Sequence, residues 1–189
     1  MGRKLYISDL HLGHANVIRF DGRPYETVDE MDADIIRRWN SAVQTDDTVY
    51  ILGDFCWGKE EDWIRYLRQM KGRKVLIRGN HDLRTMSVRL RNMFQDVKDY
   101  LEIKDGDLNV IMCHYPIPFY KRSYFERTFM LFGHVHNTRE DGFLTQWRRL
   151  LQETRCCAGD ARGQFYNVGC MMPYMDYTPR TLDEILSRV

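Results

Sequence analysis

Histidine and acidic side chains recur in short clusters directly after apolar segments of the chain. Five of the six histidines lie in such clusters, beside Asp, Asn or Gly. Imidazole nitrogens and carboxylate oxygens bind transition-metal cations, and both groups can also transfer protons. This composition predicts a site for metal-dependent or acid–base chemistry. The clusters are Asp9-Leu10-His11, Gly53-Asp54, Gly79-Asn80-His81-Asp82, Cys113-His114 and Gly133-His134-Val135-His136.

Strands and helices must bring these clusters together. Apolar segments at 5–8, 48–53 and 74–78 read as strands, and two amphipathic helices separate them, one from residue 28 to 42 and one over 60–71. Thr27 and Glu30 form a capping box before the first of these helices. Alternating strands and helices predict a parallel sheet, and the carboxyl ends of its strands build a common crevice. The clusters are therefore expected to share one site.

Residues two apart on an extended segment point the same way. On that basis Asp9 is expected to face the site together with His11, and His134 together with His136.

The second half of the chain predicts antiparallel or mixed pairing. Apolar and polar residues alternate over 97–103, and Asp105-Gly106 predicts a hairpin turn into a strand over 108–112. Further strands are expected at 129–132 and 165–168, an amphipathic helix around 144–151, and a closing helix over 181–188. We expect one domain over residues 1–189, with a helical insertion near 138–164.

Each cluster taken alone has an ordinary structural explanation. Asp54 and Asn80 could be turn residues, Asp9 could cap a short helix near residue 16, and His114 could be a hydrogen-bonded core histidine. All of these explanations would have to hold independently, and they would leave five clustered histidines to chance. The ordered set is therefore interpreted as functional.

The ordered set resembles the calcineurin-like metallophosphoesterase superfamily. The pattern of that family is D-x-H, G-D, G-N-H-[DE], a lone H and G-H-x-H, each after a strand, and every part is present between Asp9 and His136. The segment Asn167-Val168-Gly169 is similar to the strand that follows the last histidines. Within the superfamily the chain looks most like the small stand-alone bacterial and phage phosphoesterases. The resemblance implies an α/β fold, a four-layer α/β/β/α sandwich of two mixed β-sheets.

The resemblance also implies two divalent transition-metal ions per chain, with Mn favoured over Fe, Zn or Ni. Asp54 would bridge both ions, because a carboxylate has two oxygens. A hydroxide between the ions would attack phosphorus in line, and His81 would stabilise the transition state or protonate the leaving group. The implied ligands of the first ion are Asp9, His11 and His136, and those of the second are Asn80, His114 and His134.

Five further residues are candidates for contact with the substrate or for orienting the ligands. His14 follows the first cluster and lies either on the substrate side of the site or on the surface. Asp82 orients a neighbouring segment or caps a helix starting near Leu83. The loop 115–122 offers aromatic and cationic groups that suit a nucleotide, although solvated charges are the commoner role. The candidates in this loop are Tyr120, Lys121 and Arg122.

The implied activity is hydrolysis of phosphate esters, with a phosphodiester ahead of a phosphomonoester of a protein, nucleotide or sugar. An alternative of another class is a non-catalytic interaction scaffold. Such a scaffold is expected to lose metal ligands, and this sequence retains them all.

Composition excludes a disordered chain and a strongly basic nucleic-acid coat. The 189 residues are 43% hydrophobic, and 28 Lys and Arg face 27 Asp and Glu. No signal-peptide core and no apolar run of about 18 residues is found. Five cysteines without repeating spacing favour a reducing compartment. A cytoplasmic protein is therefore expected, with a phosphate-ester substrate, one candidate being a nucleotide, and with no membrane and no obligate nucleic-acid partner.

Overall fold

The computed structural model describes residues 2–189, whose strands form two four-stranded sheets. The first sheet has the order β1 (Lys4–Ile7), β2 (Thr48–Ile51), β3 (Arg73–Ile77) and β4 (Asp96–Lys98), all parallel. The second has the order β5 (Tyr100–Asp105), β6 (Leu108–Cys113), β7 (Thr128–Phe132) and β8 (Phe165–Asn167). In this sheet β5 and β6 are antiparallel and the other pairs are parallel.

The described chain has six helices, of which the first five lie between strands and the last follows β8: α1 (Ala15–Asp21), α2 (Val28–Ala42), α3 (Glu60–Gln69), α4 (Val88–Arg91), α5 (Arg139–Glu153) and α6 (Leu182–Leu186). The hydroxyl of Thr27 caps α2 by accepting from the Glu30 N–H, and Thr181 and Glu184 form a complete capping box at α6. Over residues 2–189, no helix is both long and apolar enough to cross a membrane.

Alternate side chains of each strand point to opposite faces of its sheet, and their contacts show how the layers are stacked. On β1, the Tyr6 hydroxyl donates to Asp105 of the second sheet over 2.7 Å, so the neighbouring strand residues point to the opposite, helix-covered face. On β7, Leu131 belongs to the main core, whereas Phe132 packs in a second apolar cluster with Leu144 of α5. Helices thus cover the outer faces of two stacked sheets. The predicted α/β/β/α sandwich is confirmed.

The prediction of a single strand over 97–103 is wrong. The chain leaves the first sheet after β4 and enters the second at Tyr100. Asp99 stands at the change of sheet and forms a bidentate ion pair with Arg78, with both contacts at 2.8 Å. Alternating hydropathy predicts which residues are strand-like but gives no information on which sheet each one joins. The first sheet is parallel along its four strands, and an antiparallel bridge between Tyr6 and Arg180 extends its edge.

Candidate metal centre

The predicted ligands follow the carboxyl ends of five strands, and these ends meet at one edge of the sandwich. Asp9 and Asp54 follow β1 and β2, Asn80 follows β3, and the later histidines follow β6 and β7. Two backbone contacts of Ser8 join the sheets there. The Ser8 N–H donates to the Val168 carbonyl, and the Ser8 carbonyl accepts from the Cys170 N–H, both over 2.8 Å.

Four of the predicted ligands form a compact cluster. Ligand atoms of Asp9, His11, Asp54 and His136 all lie within 4.8 Å of one another. The Nε2 atoms of His11 and His136 are 3.2 Å apart, and the Asp54 Oδ2 atom is 3.6 Å from Nε2 of His11. The two aspartates and His11 are buried, so these charges are shielded from bulk water.

The other predicted ligands gather around an amide oxygen. Oδ1 of Asn80 lies 3.0 Å from Nε2 of His114 and 2.9 Å from Nδ1 of His134. Asp54 connects the two groups, since its Oδ2 atom is also 3.5 Å from Nε2 of His114. The His134 backbone N–H donates to the Asp9 carboxylate, at 3.1 and 3.2 Å from its oxygens. All seven predicted ligands therefore lie in one region.

Five of these residues adopt a left-handed backbone, which side chains other than glycine rarely do. Such strain is stored at functional sites when the surrounding structure imposes it. The prediction that Asp9 and His11, and likewise His134 and His136, face the site from extended segments is therefore wrong. Their side chains converge because the backbone turns sharply at the strand ends. The φ angles are 56° at Asp9, 50° at His11, 52° at Asp54, 69° at His134 and 50° at His136.

Two glycines make room for these turns. Gly53 has a φ of 91°, and a Cβ atom there would collide with the His114 ring and with the backbone of Gly79. A Cβ atom on Gly133 would overlap the side chains of Ser8 and Asp9. The glycines of the G-D and G-H-x-H segments are thus required by close approach of neighbouring strands.

Hydrogen bonds behind the ligands fix their orientation. Oδ1 of Asp21 lies 2.7 Å from Nδ1 of His136, and the Leu52 carbonyl lies 2.7 Å from Nδ1 of His114. The buried Arg23 guanidinium donates to Asp21 and to the Asp9 carbonyl, both over 2.9 Å. Sequence reasoning missed Asp21 and Arg23. The one local signal is that Asp21 and Arg23, which are oppositely charged, flank Gly22 at the end of α1.

Burial and ionic contacts set the protonation of the centre. Burial raises the pKa of Asp9 and lowers the pKa of His11 to about 3. Burial alone would raise the pKa of Asp54, but the hydrogen bond and charge of His114 outweigh it and lower that pKa. The pKa of His114 rises, because Asp54 and Asp9 outweigh its own burial. His11 is therefore a neutral imidazole, the form that binds metals.

The residues present fit a transition-metal cation. Imidazole nitrogens and carboxylate oxygens without a thiolate suit Mn, Fe, Zn or Ni. Two Nε2 atoms face each other at 3.2 Å beside buried carboxylates, an arrangement that a cation would satisfy. Arg23 donates to the carbonyl of Asp9 and leaves its carboxylate for the centre.

Comparison with known proteins agrees with this geometry. The model of the calcineurin-like phosphoesterase family matches residues 2–155. The chain belongs to the calcineurin-like phosphoesterase family. The family assignment covers all seven predicted ligands, which lie between Asp9 and His136.

Individual relatives of this calcineurin-like phosphoesterase are similar in sequence to parts of the chain. The uncharacterized protein MJ1445 of Methanocaldococcus jannaschii is 43% identical over 83 residues, which cover 42% of this chain and 47% of that protein. The Gene 66 protein of Mycobacterium phage D29 is 32% identical over 132 residues, covering 61% and 65%. The chain thus spans about half to two thirds of the length of these relatives. A protein of unknown function from Aquifex aeolicus, AQ665, shares the fold over 100% of both chains, with a TM-score of 0.69 and 26% identity.

Asp82 orients the segments that carry two predicted ligands of this family member. Its carboxylate accepts from the N–H groups of Asp54, Phe55 and Gly79 at 3.1, 2.9 and 2.7 Å. The next helix along the chain, α4, begins at Val88 and is capped by Ser87. The alternative of a helix cap is therefore wrong, and the orienting alternative is the one observed.

His81 and His14 lie at the rim of the first ligand group. The His81 N–H donates to Oδ1 of Asp54 over 2.9 Å, and its exposed ring has its centroid 5.7 Å from that of His11. The ring of His14 lies 5.6 Å from that of His11 and stacks on Trp57 at 4.3 Å. Both rings therefore border the first ligand group.

The loop candidates Tyr120, Lys121 and Arg122 are not brought to the centre. Tyr120 packs in the second apolar cluster, and the single proton of its hydroxyl lies between the carbonyls of Thr128 and Gln164, whose oxygens are 3.1 and 3.0 Å from the hydroxyl oxygen. Lys121 pairs with Glu102 on β5 over 2.9 Å. Arg122 lines a cavity at the amino-terminal end of β6, opposite the end that carries His114. Burial of the Tyr120 ring draws this part of the loop away from the predicted ligands.

Proposed function

We propose that the protein is a phosphodiesterase that uses two divalent cations, with Mn²⁺ as the favoured metal. The observation that carries this proposal is the position of Asp54, whose Oδ2 atom lies 3.6 Å from His11 and 3.5 Å from His114. One carboxylate thereby reaches ring nitrogens of both ligand groups. A carboxylate in that position can serve two cations.

Each ligand group would hold one cation. Asp9, His11 and His136 would hold the first, and Asn80, His114 and His134 the second, with Asp54 shared. When bound, two such cations lower the pKa of water and neutralise phosphoryl oxygens for in-line displacement. The neutral His11 ring and the ionised Asp54 carboxylate are already in the protonation states that bind metal, whereas His114, whose pKa is raised by Asp54 and Asp9, would release its proton when a cation binds.

His81 would supply the proton that the leaving oxygen needs. Its backbone is fixed by the hydrogen bond to Asp54, while its ring remains exposed at the rim. A side chain so placed can act as a general acid once a substrate lies over the centre. A diester is favoured over a monoester because both sides of the centre are open. His81 is exposed beside the first ligand group, and the half-exposed Tyr115 adjoins the second.

Residues 1–189 are proposed to act as one domain, with α5 and the segment that follows it as an insertion on the second sheet. The cytoplasmic location remains a prediction, as does the use of Mn²⁺ in the cell.

Hydrolysis of bis(4-nitrophenyl) phosphate tests the proposal. We expect activity that depends on added Mn²⁺, disappears with a chelator and returns with excess metal. Asp54→Asn, prepared in parallel, should be almost inactive, whereas Asp107→Asn at an exposed position should match the wild type. Activity that survives chelation, or an active Asp54→Asn protein, would contradict the proposed function.

A further inference from the structure

Half-exposed aromatic rings flank the metal centre on two sides. Trp57 is 47% exposed, and its ring centroid lies 5.2 Å from that of His81. Tyr115 is also 47% exposed, and its ring lies 4.6 Å from that of His134. One ring therefore borders the first ligand group and the other borders the second. A phosphate ester at the centre would have an aromatic surface on each side.

The ring of Trp57 is held rigidly in this exposed position. The ring of His14 stacks against it with a centroid distance of 4.3 Å and an interplanar angle of 11°. The backbone N–H of Trp57 donates to the Leu12 carbonyl over 2.8 Å, and the backbone N–H of Gly13 donates to both Asp32 oxygens over 3.1 Å. These bonds tie the turn that carries His14 and the segment that carries Trp57 to the first sheet and to α2. A large exposed ring fixed in this way is a surface for stacking.

The side of Tyr115 combines an aromatic ring with one unpaired arginine of the described chain. Tyr115 lines a cavity of about 490 Å³ together with two arginines, Arg78 and Arg84, and two aspartates, Asp82 and Asp99. Arg78 is paired with Asp99, but Arg84 makes no ion pair within residues 2–189. A cation beside an aromatic ring suits a phosphate-linked base, because the charge attracts the backbone while the ring stacks on the base.

We propose that the substrate is single-stranded nucleic acid, cleaved at an internal phosphodiester with one base on Trp57 and the neighbouring base on Tyr115. This inference rests on the proposed phosphodiesterase function and names its substrate class. The base on Trp57 belongs to the leaving nucleoside, because His81 lies on that side. Hydrolysis adds one water: the water loses one proton to solvent and its oxygen bonds to phosphorus, while the bond from phosphorus to the leaving oxygen breaks. The leaving oxygen takes a proton from His81, which regains one from solvent.

Steady-state kinetics on dithymidine phosphate tests both aromatic surfaces. Stacking of a base contributes about 1–3 kcal/mol, so Trp57→Ala should raise KM by roughly 5–150-fold with little change in kcat. Trp57→Phe should retain a KM near that of the wild type, because a smaller ring still stacks. The increase should vanish with an analogue that lacks the base on the leaving nucleoside. Tyr115→Ala should also raise KM, and this increase should vanish with an analogue that lacks the base on the nucleoside that stays attached to phosphorus.

Trp147→Ala is the matched control, because this exposed tryptophan of α5 packs on Phe119, contacts none of the predicted ligands and should leave KM unchanged. An unchanged KM in folded, metal-loaded Trp57→Ala would overturn the stacking assignment. The proposed function would still stand if that protein hydrolysed bis(4-nitrophenyl) phosphate in a metal-dependent way. A wild type that hydrolyses neither diester with added metal would overturn the proposed function and this inference together.

Discussion

Oδ1 of Asp21 lies 2.7 Å from Nδ1 of His136, and this contact determines which nitrogen of the ring faces the metal centre. The carboxylate accepts the Nδ1 proton and leaves the Nε2 lone pair directed at the cluster. Arg23 fixes Asp21 in turn through its Nε atom at 2.9 Å. Asp21 thus orients a ligand that lies 115 positions away from it in the chain.

Asp21→Asn should weaken metal binding without unfolding the protein. An amide cannot enforce the same ring tautomer, and loss of such an orienting carboxylate typically costs 10–100-fold in metal affinity. Calorimetric titration of the metal-free variant with Mn²⁺ measures the change in metal affinity. Asp176→Asn, at an exposed position paired with Arg38, is the control. Equal affinity of Asp21→Asn and wild type would show that Asp21 has no orienting role.

Asp54→Asn should lose more metal than Asn80→Ala. Asp54 contacts ring nitrogens of both ligand groups, whereas Asn80 contacts only His114 and His134. We expect Asp54→Asn to retain little of either metal and Asn80→Ala to retain about one per chain. Elemental analysis of the purified variants checks this. Two metals retained in Asp54→Asn would contradict the shared position of its carboxylate.

His81→Ala should keep its metals and lose rate. A general acid contributes roughly 10²–10⁴-fold, and the contribution depends on how badly the leaving group needs a proton. Rates should therefore fall further for a nucleoside leaving group than for nitrophenolate. Comparison of kcat for the two kinds of diester is the measurement. An equal fall for both would favour electrostatic stabilisation of the phosphoryl group, and loss of metals would show that His81 is a ligand.

Asp82→Asn should destabilise the metal-free fold. The Asp82 carboxylate accepts three backbone N–H groups, and its replacement leaves buried donors without a full set of acceptors. Hydrogen bonds to a charged group contribute about 1.5–3 kcal/mol, so the free energy of unfolding should fall by at least that amount. Asp99→Asn removes an exposed ion pair and should cost about 1 kcal/mol or less. Urea unfolding of both variants separates the two cases, and equal losses would contradict the structural role of Asp82.

The ligand clusters and the parallel first sheet could be predicted because those signals are local, whereas the sandwich of two sheets was implied by the resemblance to the metallophosphoesterase superfamily. Each cluster directly follows an apolar strand, and parallel strands bring their carboxyl ends together. Asp21 could not be found in this way, because it meets His136 across 115 positions of the chain. The same holds for Trp57, whose packing on His14 depends on how two strand ends are joined. The prediction that the loop at Tyr120 contacts the substrate was wrong because aromatic and cationic composition does not show whether a ring is buried in the core.

The most direct test is stepwise addition of Mn²⁺ to metal-stripped wild-type protein, with hydrolysis of bis(4-nitrophenyl) phosphate followed at each step. Two ligand groups that share Asp54 predict negligible activity without metal and a rise that levels off near two equivalents per chain. Full activity in the stripped protein, or a plateau at one equivalent, would contradict a two-metal phosphodiesterase.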